Sequence, residues 1–198
     1  MKRKAFTLVE MLIVLIVIGI LAAIMIFSST EMIITAKAQT IANNLIALKM
    51  ATKAWAKDNA DKIQVTADSQ GSPRGQVTIG GKTSPVQEWS DNDLKISQYM
   101  DNTNATKFNL STTSHSGGKQ NTNLEPGCYG ICDGGTTNGY QRNYWYAGYT
   151  FKDNEDAVKE KLKKRSDSYN LIFADNDVHT TNSDKTVWML IFDIDNGF

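Results

Sequence analysis

The feature that most constrains this chain is an apolar run at residues 11–27, which contains no charged or strongly polar side chain. Seventeen consecutive residues of this kind are close to the length that a membrane-spanning helix needs. Lys2, Arg3 and Lys4 precede the run, and such residues favour the cytoplasmic side of a membrane. The segment therefore predicts an anchor that directs the rest of the chain outward.

A single carboxylate, Glu10, lies directly before the apolar run. A carboxylate is costly inside a membrane, less so near the interface, and an ionisable group there normally has a partner. No Lys or Arg occurs between Glu10 and Lys37. We therefore expect the partner to be a cation on another molecule, or an amino group that is created by cutting the chain nearby.

The sequence AFTLVEMLIVLIVIGILAAI at residues 5–24 resembles the class III signal of type IV pilins and pseudopilins. The resemblance implies that a prepilin peptidase cuts between Ala5 and Phe6 and that the new amino group of Phe6 is methylated. It also implies that Glu10 meets the N-terminus of a neighbouring subunit during filament assembly.

Two positions depart from the pattern of that family. Ala5 replaces the usual Gly before the cut, and because Ala is also small, we expect cleavage to occur, but more slowly. Phe27 stands where many members have Pro, whereas the family's Gly is present as Gly19. A Pro removes one backbone hydrogen bond and helps a helix to melt locally. Melting between Gly19 and Phe27 is therefore left open.

The helix is predicted to continue to Asp58, because neither Gly nor Pro occurs between residues 20 and 70. Apolar residues recur every seven positions and form one stripe, which predicts a face packed on a domain. They are Ile34, Ile41, Leu48 and Trp55, with Ala38, Leu45 and Thr52 between them. A helix from the cleavage site to Asp58 is roughly 80 Å long at 1.5 Å per residue.

Four parts of the chain follow from these patterns. They are a leader at residues 1–5, a transmembrane and assembly half of the helix at 6–27, an amphipathic half at 28–58 and a globular head domain at 59–198. The predicted fold class is α+β, with the long helix packed on an antiparallel sheet as in type IV pilins.

Short elements are predicted in the head domain. A Gly80-Gly81 turn joins a hairpin, and Ser90 with Asp93 forms a capping box for a helix that reaches Met100. Further strands are predicted at residues 108–112, 141–151, 169–174 and 187–192, and a helix at 157–164. The last two strands are nearly continuous apolar runs, so we expect central strands that are antiparallel neighbours and are covered on at least one face by a helix. Residues 114–139 are predicted to be a surface excursion.

Outside the apolar N-terminal run, the composition of the chain is polar. The chain has 21 basic and 21 acidic residues, so removal of three basic leader residues leaves 18 against 21, a net of −3. The mean hydropathy is −0.35 despite the apolar N-terminus. This balance suits a domain exposed outside the cell and does not indicate a polyanion-binding protein.

Two cysteines, Cys128 and Cys132, lie in the predicted exported domain. An oxidising compartment favours a small structural disulfide between them. Reduced thiols and a metal or redox role are the alternatives, although three residues separate the pair and a zinc site needs two further ligands.

Four carboxylates could form an oxygen-rich calcium site near the ends of the last two strands. They are Asp175, Asp177, Asp193 and Asp195. Some pseudopilins have calcium in this region, but solvated loop acids are the ordinary interpretation. His115 and His179 have no local nucleophile motif. We predict no catalytic residues, no enzyme activity and no cofactor.

A basic helix face could contact phosphates of DNA. It comprises Lys159, Lys161, Lys163, Lys164 and Arg165. On a mature chain of net negative charge, such a face is ordinarily solvated, so nucleic acid is not an expected partner. The aromatic residues at 144–151 are predicted to be core residues.

The resemblance implies a structural subunit of a type IV pilus-like filament. Its partners would be sister subunits, a prepilin peptidase, the inner-membrane assembly machinery and, before assembly, the membrane. A pseudopilin of type II secretion or DNA uptake is the close alternative, and a surface binding protein with an ordinary signal anchor is an alternative of another class. We expect a single-pass membrane precursor that later becomes part of an extracellular filament, where adhesion is a typical role.

Overall fold

A computed structural model of the chain describes residues 7–67, 73–100, 124–133, 144–173 and 185–194. Helix α1 extends over Leu8–Asp58, 51 residues without interruption, which confirms the predicted long helix. Thr7 is its N-cap, and at the other end the backbone N–H and the side-chain amide of Asn59 both donate to the carbonyl of Trp55, at 3.0 and 2.8 Å. These bonds satisfy an orphan carbonyl of the last turn.

The second half of α1, the predicted spine of the head domain, packs on the residues that follow it. From Ala38 onward, one face of the helix is buried while the opposite face is exposed. The predicted stripe is confirmed, because Ile41, Leu48 and Trp55 are buried and Ile34 is half-buried. Burial at helical spacing means that packing, more than intrinsic propensity, fixes this half of the helix.

The first sheet is a three-stranded antiparallel meander in the order β1-β2-β3. Its strands are β1 (Ile63–Ala67), β2 (Pro73–Ile79) and β3 (Lys82–Pro85). The predicted hairpin is confirmed: Ile79 pairs with Lys82 around Gly80 and Gly81, whose φ angles are 59° and 84°. Two successive positive φ angles define the tight hairpin turn that glycine permits without strain.

The second sheet has four antiparallel strands in the order β4-β5-β7-β6. Its strands are β4 (Tyr129–Asp133), β5 (Tyr144–Thr150), β6 (Leu171–Phe173) and β7 (Thr186–Asp193). β6 and β7 are antiparallel neighbours, as predicted, but the predicted central position is wrong for β6, which is an edge strand of this sheet. The surface excursion predicted at residues 114–139 is wrong for β4, which is buried at all five positions. Its apolar residues are few and surrounded by turn-forming residues, so composition concealed the strand.

Three short α-helices and three 3₁₀ helices complete the described elements. The α-helices are α2 (Asp91–Leu94), α3 (Asp156–Lys163) and α4 (Ser166–Tyr169). The 3₁₀ helices are Ala60–Lys62, Val86–Glu88 and Ile96–Tyr99. The predicted capping box at Ser90 is confirmed. However, α2 ends at Leu94, because Lys95 adopts a left-handed conformation. A 3₁₀ helix follows at Ile96–Tyr99, so the helix predicted to reach Met100 is divided in two. α3 is confirmed close to its predicted bounds.

Two predicted strands have different outcomes. The strand predicted from residue 169 starts at Leu171, because α4 ends at Tyr169 and Asn170 has a positive φ of 51°. A short polar residue such as Asn tolerates this conformation and ends a helix. The strand predicted at residues 108–112 lies outside the described residues.

An aromatic core joins the second sheet to α1. Trp145 is fully buried, with its ring centroid 6.3 Å from Trp55 and 5.1 Å from Phe192. Tyr149 and Phe151 are also buried, in an edge-to-face pair at 5.3 Å. The aromatic run of β5 is therefore core, as predicted, and it holds the sheet against the spine.

Candidate functional site

The first half of α1 presents an uncovered apolar surface. Every Leu, Ile, Val and Met side chain between Leu8 and Ile26 is at least 49% exposed. An 18-residue window of this helix has a mean hydropathy of 3.1 and no part of it is buried. By length and composition, α1 can cross a membrane. A contiguous apolar surface of this size requires lipid or other apolar helices around it.

Glu10 closes a capping box at the start of α1. Its Oε2 accepts hydrogen bonds from the backbone N–H and the hydroxyl of Thr7, both at 2.8 Å, and its own N–H donates to Thr7 Oγ1 at 3.3 Å. Thr7 was not among the predicted partners of Glu10, although the Thr-x-x-Glu spacing is the sequence pattern of a capping box. The carboxylate is therefore oriented within its own chain before any second molecule is present.

The helix is continuous through the region where melting was left open. Gly19 lies inside α1, and a Cβ at that position would meet no atom within 4 Å. The hydroxyls of Ser29 and Thr30 donate to the carbonyls of Met25 and Ile26, at 2.9 and 3.1 Å. Hydroxyls bonded in this way leave a helix intact and tend only to bend it.

A buried carboxylate, Glu155, connects the head domain to α1. Its side chain is 1% exposed, and its Oε1 lies 2.6 Å from Lys37 Nζ. Its Oε2 accepts the Tyr149 hydroxyl at 2.8 Å and the Lys152 N–H at 2.9 Å. Burial alone raises the pKa of Glu155, but hydrogen bonds from Lys37, Lys152 and Tyr149 outweigh it and lower the pKa below its ordinary value.

Two further contacts fasten the same face of α1. Lys161 of α3 pairs with Glu31 at 3.0 Å, and the Asn44 amide donates to the Tyr129 hydroxyl at 3.0 Å. The Tyr129 ring in turn lies 4.7 Å from the Tyr149 ring, centroid to centroid. These contacts were not predicted, because no local sequence pattern indicates which later residues pack beside residues 31–44.

The cysteine pair lies along an extended strand. Cys128 directly precedes β4, its carbonyl accepts the Thr150 N–H at 3.2 Å, and Cys132 is the fourth residue of β4. Four extended residues span about 13 Å, whereas a disulfide joins Cα atoms about 4.4–6.8 Å apart. Both side chains are thiols in this structure. The disulfide stays a prediction, and the separation of the two cysteines along the extended strand counts against it.

Cys132 packs in a small apolar cluster with Leu124, Tyr146 and Trp188. Burial, and then the neighbouring Asp133 carboxylate, raise the pKa of the Cys132 thiol well above its ordinary value. A thiol with a raised pKa is a poor nucleophile.

The remaining predicted site residues fall mostly outside the described ranges. These are Ala5, Phe6, Asp175, Asp177, Asp195 and both histidines. Asp193 is the last residue of β7 and pairs with Tyr144 of β5. Within the described part of the chain, no group of three or more His, Cys, Asp or Glu side chains could hold a metal ion.

Comparison with known proteins identifies the N-terminal segment. Residues 1–26 match the family described as "Prokaryotic N-terminal methylation motif". This motif is the class III signal of type IV pilin and pseudopilin precursors, so the resemblance drawn from residues 5–24 is confirmed. No curated protein and no solved structure matches the chain.

Proposed function

We propose that this precursor of the type IV pilin or pseudopilin type is a structural subunit of a type IV pilus-like filament. The observation that supports the proposal most directly is the uncovered apolar half of α1, which lies in the same segment as the methylation motif. Lipid surrounds this surface in the precursor, and the α1 helices of neighbouring subunits surround it in the filament. In both states the apolar side chains stay out of water.

Processing creates the charge that assembly uses. A prepilin peptidase removes residues 1–5 by cutting between Ala5 and Phe6, and the new amino group of Phe6 is methylated. A methylated amine still carries a positive charge at neutral pH. The mature chain therefore begins with a cation four residues before Glu10 in the sequence.

Glu10 sets the register between subunits. In a single subunit Thr7 holds the Glu10 carboxylate through two hydrogen bonds, but neither bond supplies a positive charge. In the filament, the methylated Phe6 amine of an adjacent subunit supplies it. An unpaired charge in an apolar core is strongly destabilising, so the pair penalises every arrangement that separates the two groups.

Substitution of Glu10 tests this role. Glu10→Gln keeps an oxygen that can accept from Thr7 but removes the charge, and Glu10→Ala removes both. We expect both variants to insert into the membrane. We expect the number of filaments per cell to fall at least ~10-fold, because loss of the Glu10 pair costs a few kcal/mol of assembly free energy and about 1.4 kcal/mol already corresponds to a factor of ten. Electron microscopy counts the filaments.

Thr7→Val is the matched control, because it breaks the capping box and keeps the carboxylate. Its filament number should stay within about twofold of the unchanged protein, since a lost cap costs about 1 kcal/mol in a helix that lipid and packing also stabilise. Normal filament numbers from Glu10→Gln would contradict the proposed pairing.

The same anchor serves a pseudopilin, so filament length distinguishes the two members of this class. Long surface filaments that contain this chain support a pilin, and short periplasm-spanning filaments support a subunit of type II secretion or DNA uptake. Mass spectrometry of the mature N-terminus addresses the alternative of another class. A methylated Phe6 supports assembly, whereas an intact Met1 indicates a surface binding protein with an ordinary signal anchor.

A further inference from the structure

Two ion pairs fix the direction in which α3 lies along α1. Lys37 pairs with Glu155, the N-cap of α3, at 2.6 Å, and Glu31 pairs with Lys161 at 3.0 Å. As the chain advances from residue 155 to 161, its partners on α1 go back from residue 37 to 31. α3 is therefore antiparallel to α1, and its C-terminal end points towards the apolar half of α1.

The same pairs set the level of that end relative to the apolar run. Glu31 is four residues beyond Phe27, which is about 6 Å along a helix. The sequence Lys-Lys-Arg at residues 163–165, here called the basic end, follows Lys161 by two to four residues. It lies roughly 3–6 Å closer to the apolar run. The basic end is therefore level with the point where the predicted membrane span ends.

The charges and the neighbours of the basic end suit this level. Residues 159–167 contain five cations and two acids, a net of +3, and Glu31 reduces this to +2. Lys164 is exposed, and Arg165 is half-buried. On α1 at the same level, Met32 and Ile33 are 70% and 67% exposed. Exposed apolar and basic side chains at the same level of a protein are typical of a surface that lies at a bilayer interface.

We propose that the basic end of α3 docks on anionic phospholipid headgroups, on the face of the membrane where the head domain lies. Each Lys or Arg near such a surface strengthens binding about fivefold. Docking holds the head of the waiting subunit in one orientation before assembly. The inference rests on the proposed function only for the membrane anchor. The position of the basic end along α1 favours lipid over DNA, because the exposed apolar side chains of Met32 and Ile33 can enter a bilayer interface but do not bind a phosphate backbone.

Hydrogen exchange of the full-length chain in lipid nanodiscs tests the inference. The protein is placed in discs of phosphatidylcholine alone and in discs that also contain phosphatidylglycerol, and backbone exchange is measured over residues 156–169. We expect exchange there to be about tenfold slower in the anionic discs. This slowing is within reach of two or three cations, because each strengthens binding to an anionic surface about fivefold. The difference should disappear in 1 M salt, where screening acts within about 3 Å.

Glutamine substitution of the basic end should abolish the lipid dependence. The triple variant K163Q, K164Q and R165Q keeps long, helix-compatible side chains and removes three charges. Its exchange over residues 156–169 should be the same in both kinds of disc.

A matched triple variant removes three cations elsewhere on the same chain. K49Q, K53Q and K57Q lie about 33–45 Å beyond Phe27 along α1, far outside the roughly 8 Å range of charge interactions at physiological salt. This variant should keep the lipid dependence of the unchanged protein. Loss of the lipid dependence in it would mean that net charge matters and not the basic end, and would overturn the inference.

Exchange over residues 8–26 separates the two proposals. If these amides are protected and residues 156–169 show no lipid dependence, the docking inference fails and the proposed function is unaffected. If the amides of residues 8–26 exchange freely, this segment is not a membrane anchor, and both the proposed function and the docking inference are contradicted. Protection of residues 156–169 by a short DNA duplex, without any effect of anionic lipid, would overturn the inference in favour of nucleic acid.

Discussion

At the scale of single residues, two carboxylates with different surroundings organise this chain. Glu10 lies on an exposed helix start and, among the residues that the structure describes, accepts from Thr7. Glu155 is buried and accepts from Lys37, Tyr149 and Lys152. The first is held by two hydrogen bonds from Thr7, neither of which comes from a charged donor. The second has both a cation and two neutral donors, which suits a permanent structural link.

Substitution of Glu155 should weaken the head domain. Glu155→Ala leaves the Tyr149 hydroxyl without its acceptor in a buried site and is expected to lower the free energy of unfolding by about 2–4 kcal/mol. Glu155→Gln can still accept from Tyr149 and Lys152 and should cost less. Urea unfolding of the full-length chain in detergent, followed by tryptophan fluorescence, measures both. Equal stability of Glu155→Ala and the unchanged protein would exclude a structural role for this carboxylate.

At the scale of elements, α1 is one helix with two environments. From Met11 to Ile26 it is apolar on every side and exposed, and from Ala38 it is amphipathic and buried on one face. A helix that is apolar all round requires an apolar surrounding, whereas an amphipathic one packs on a core. The change falls beside the pairs that Glu31 and Lys37 form with the head domain.

Two neighbouring positions of α1 measure how much the buried face contributes. Leu48 is 0% exposed and Met50 is 65% exposed. Leu48→Ala should lower the free energy of unfolding by about 2–5 kcal/mol, since it leaves a cavity between α1 and the sheet. Met50→Ala should change it by no more than about 0.5 kcal/mol. Chemical denaturation in detergent compares them, and similar effects at the two positions would contradict the assigned packing face.

At the scale of the whole molecule, the head domain is attached to α1 by core packing and by a polar network. Trp55 and Trp145 stack at 6.3 Å between α1 and the second sheet. On the membrane side of that stack, Asn44 and Lys37 bond to Tyr129 and Glu155. The attachment therefore includes ionisable groups, so the stability of the folded chain should decrease at both low and high pH.

Thermal unfolding should show an acid limb and an alkaline limb. Because the folded pKa of Glu155 is below its ordinary 4.5, its contribution is complete above that value and is lost as the pH falls further. Burial raises the pKa of Tyr129 to about 12. Its contribution is complete below its ordinary value of 10.0 and is lost as the pH rises towards 12. Burial also raises the pKa of Tyr149, in the same direction.

Two variants assign these limbs. Glu155→Gln should make the midpoint of unfolding less sensitive to pH below 4.5, although Asp93 and Asp153, whose pKa values are also lowered by hydrogen bonds, keep part of the acid limb. Tyr129→Phe should reduce the slope above pH 10. Circular dichroism melts across the pH range provide the comparison. An unchanged pH profile in both variants would show that the network does not contribute to stability.

Some features of the fold could be read directly from local patterns. The apolar run, the seven-residue stripe from Ile34 to Trp55, the Gly80-Gly81 hairpin and the Ser90 box each depend on residues close together in the chain. Where one residue acts against the pattern, the boundary was misplaced, as at Lys95 and Asn170 with their positive φ angles.

The sequence by itself determined the anchor, the class III signal, the position of Glu10 and the amphipathic face of α1, because hydropathy and helical spacing are local properties. Only the tertiary structure decided that β4 is a buried strand carrying Cys132 and that Glu155 pairs with Lys37. It alone set α3 antiparallel to α1. These outcomes join residues more than a hundred positions apart, or depend on strand partners distant in the chain. Their free energy comes from burial and pairing that exist only once the chain has folded.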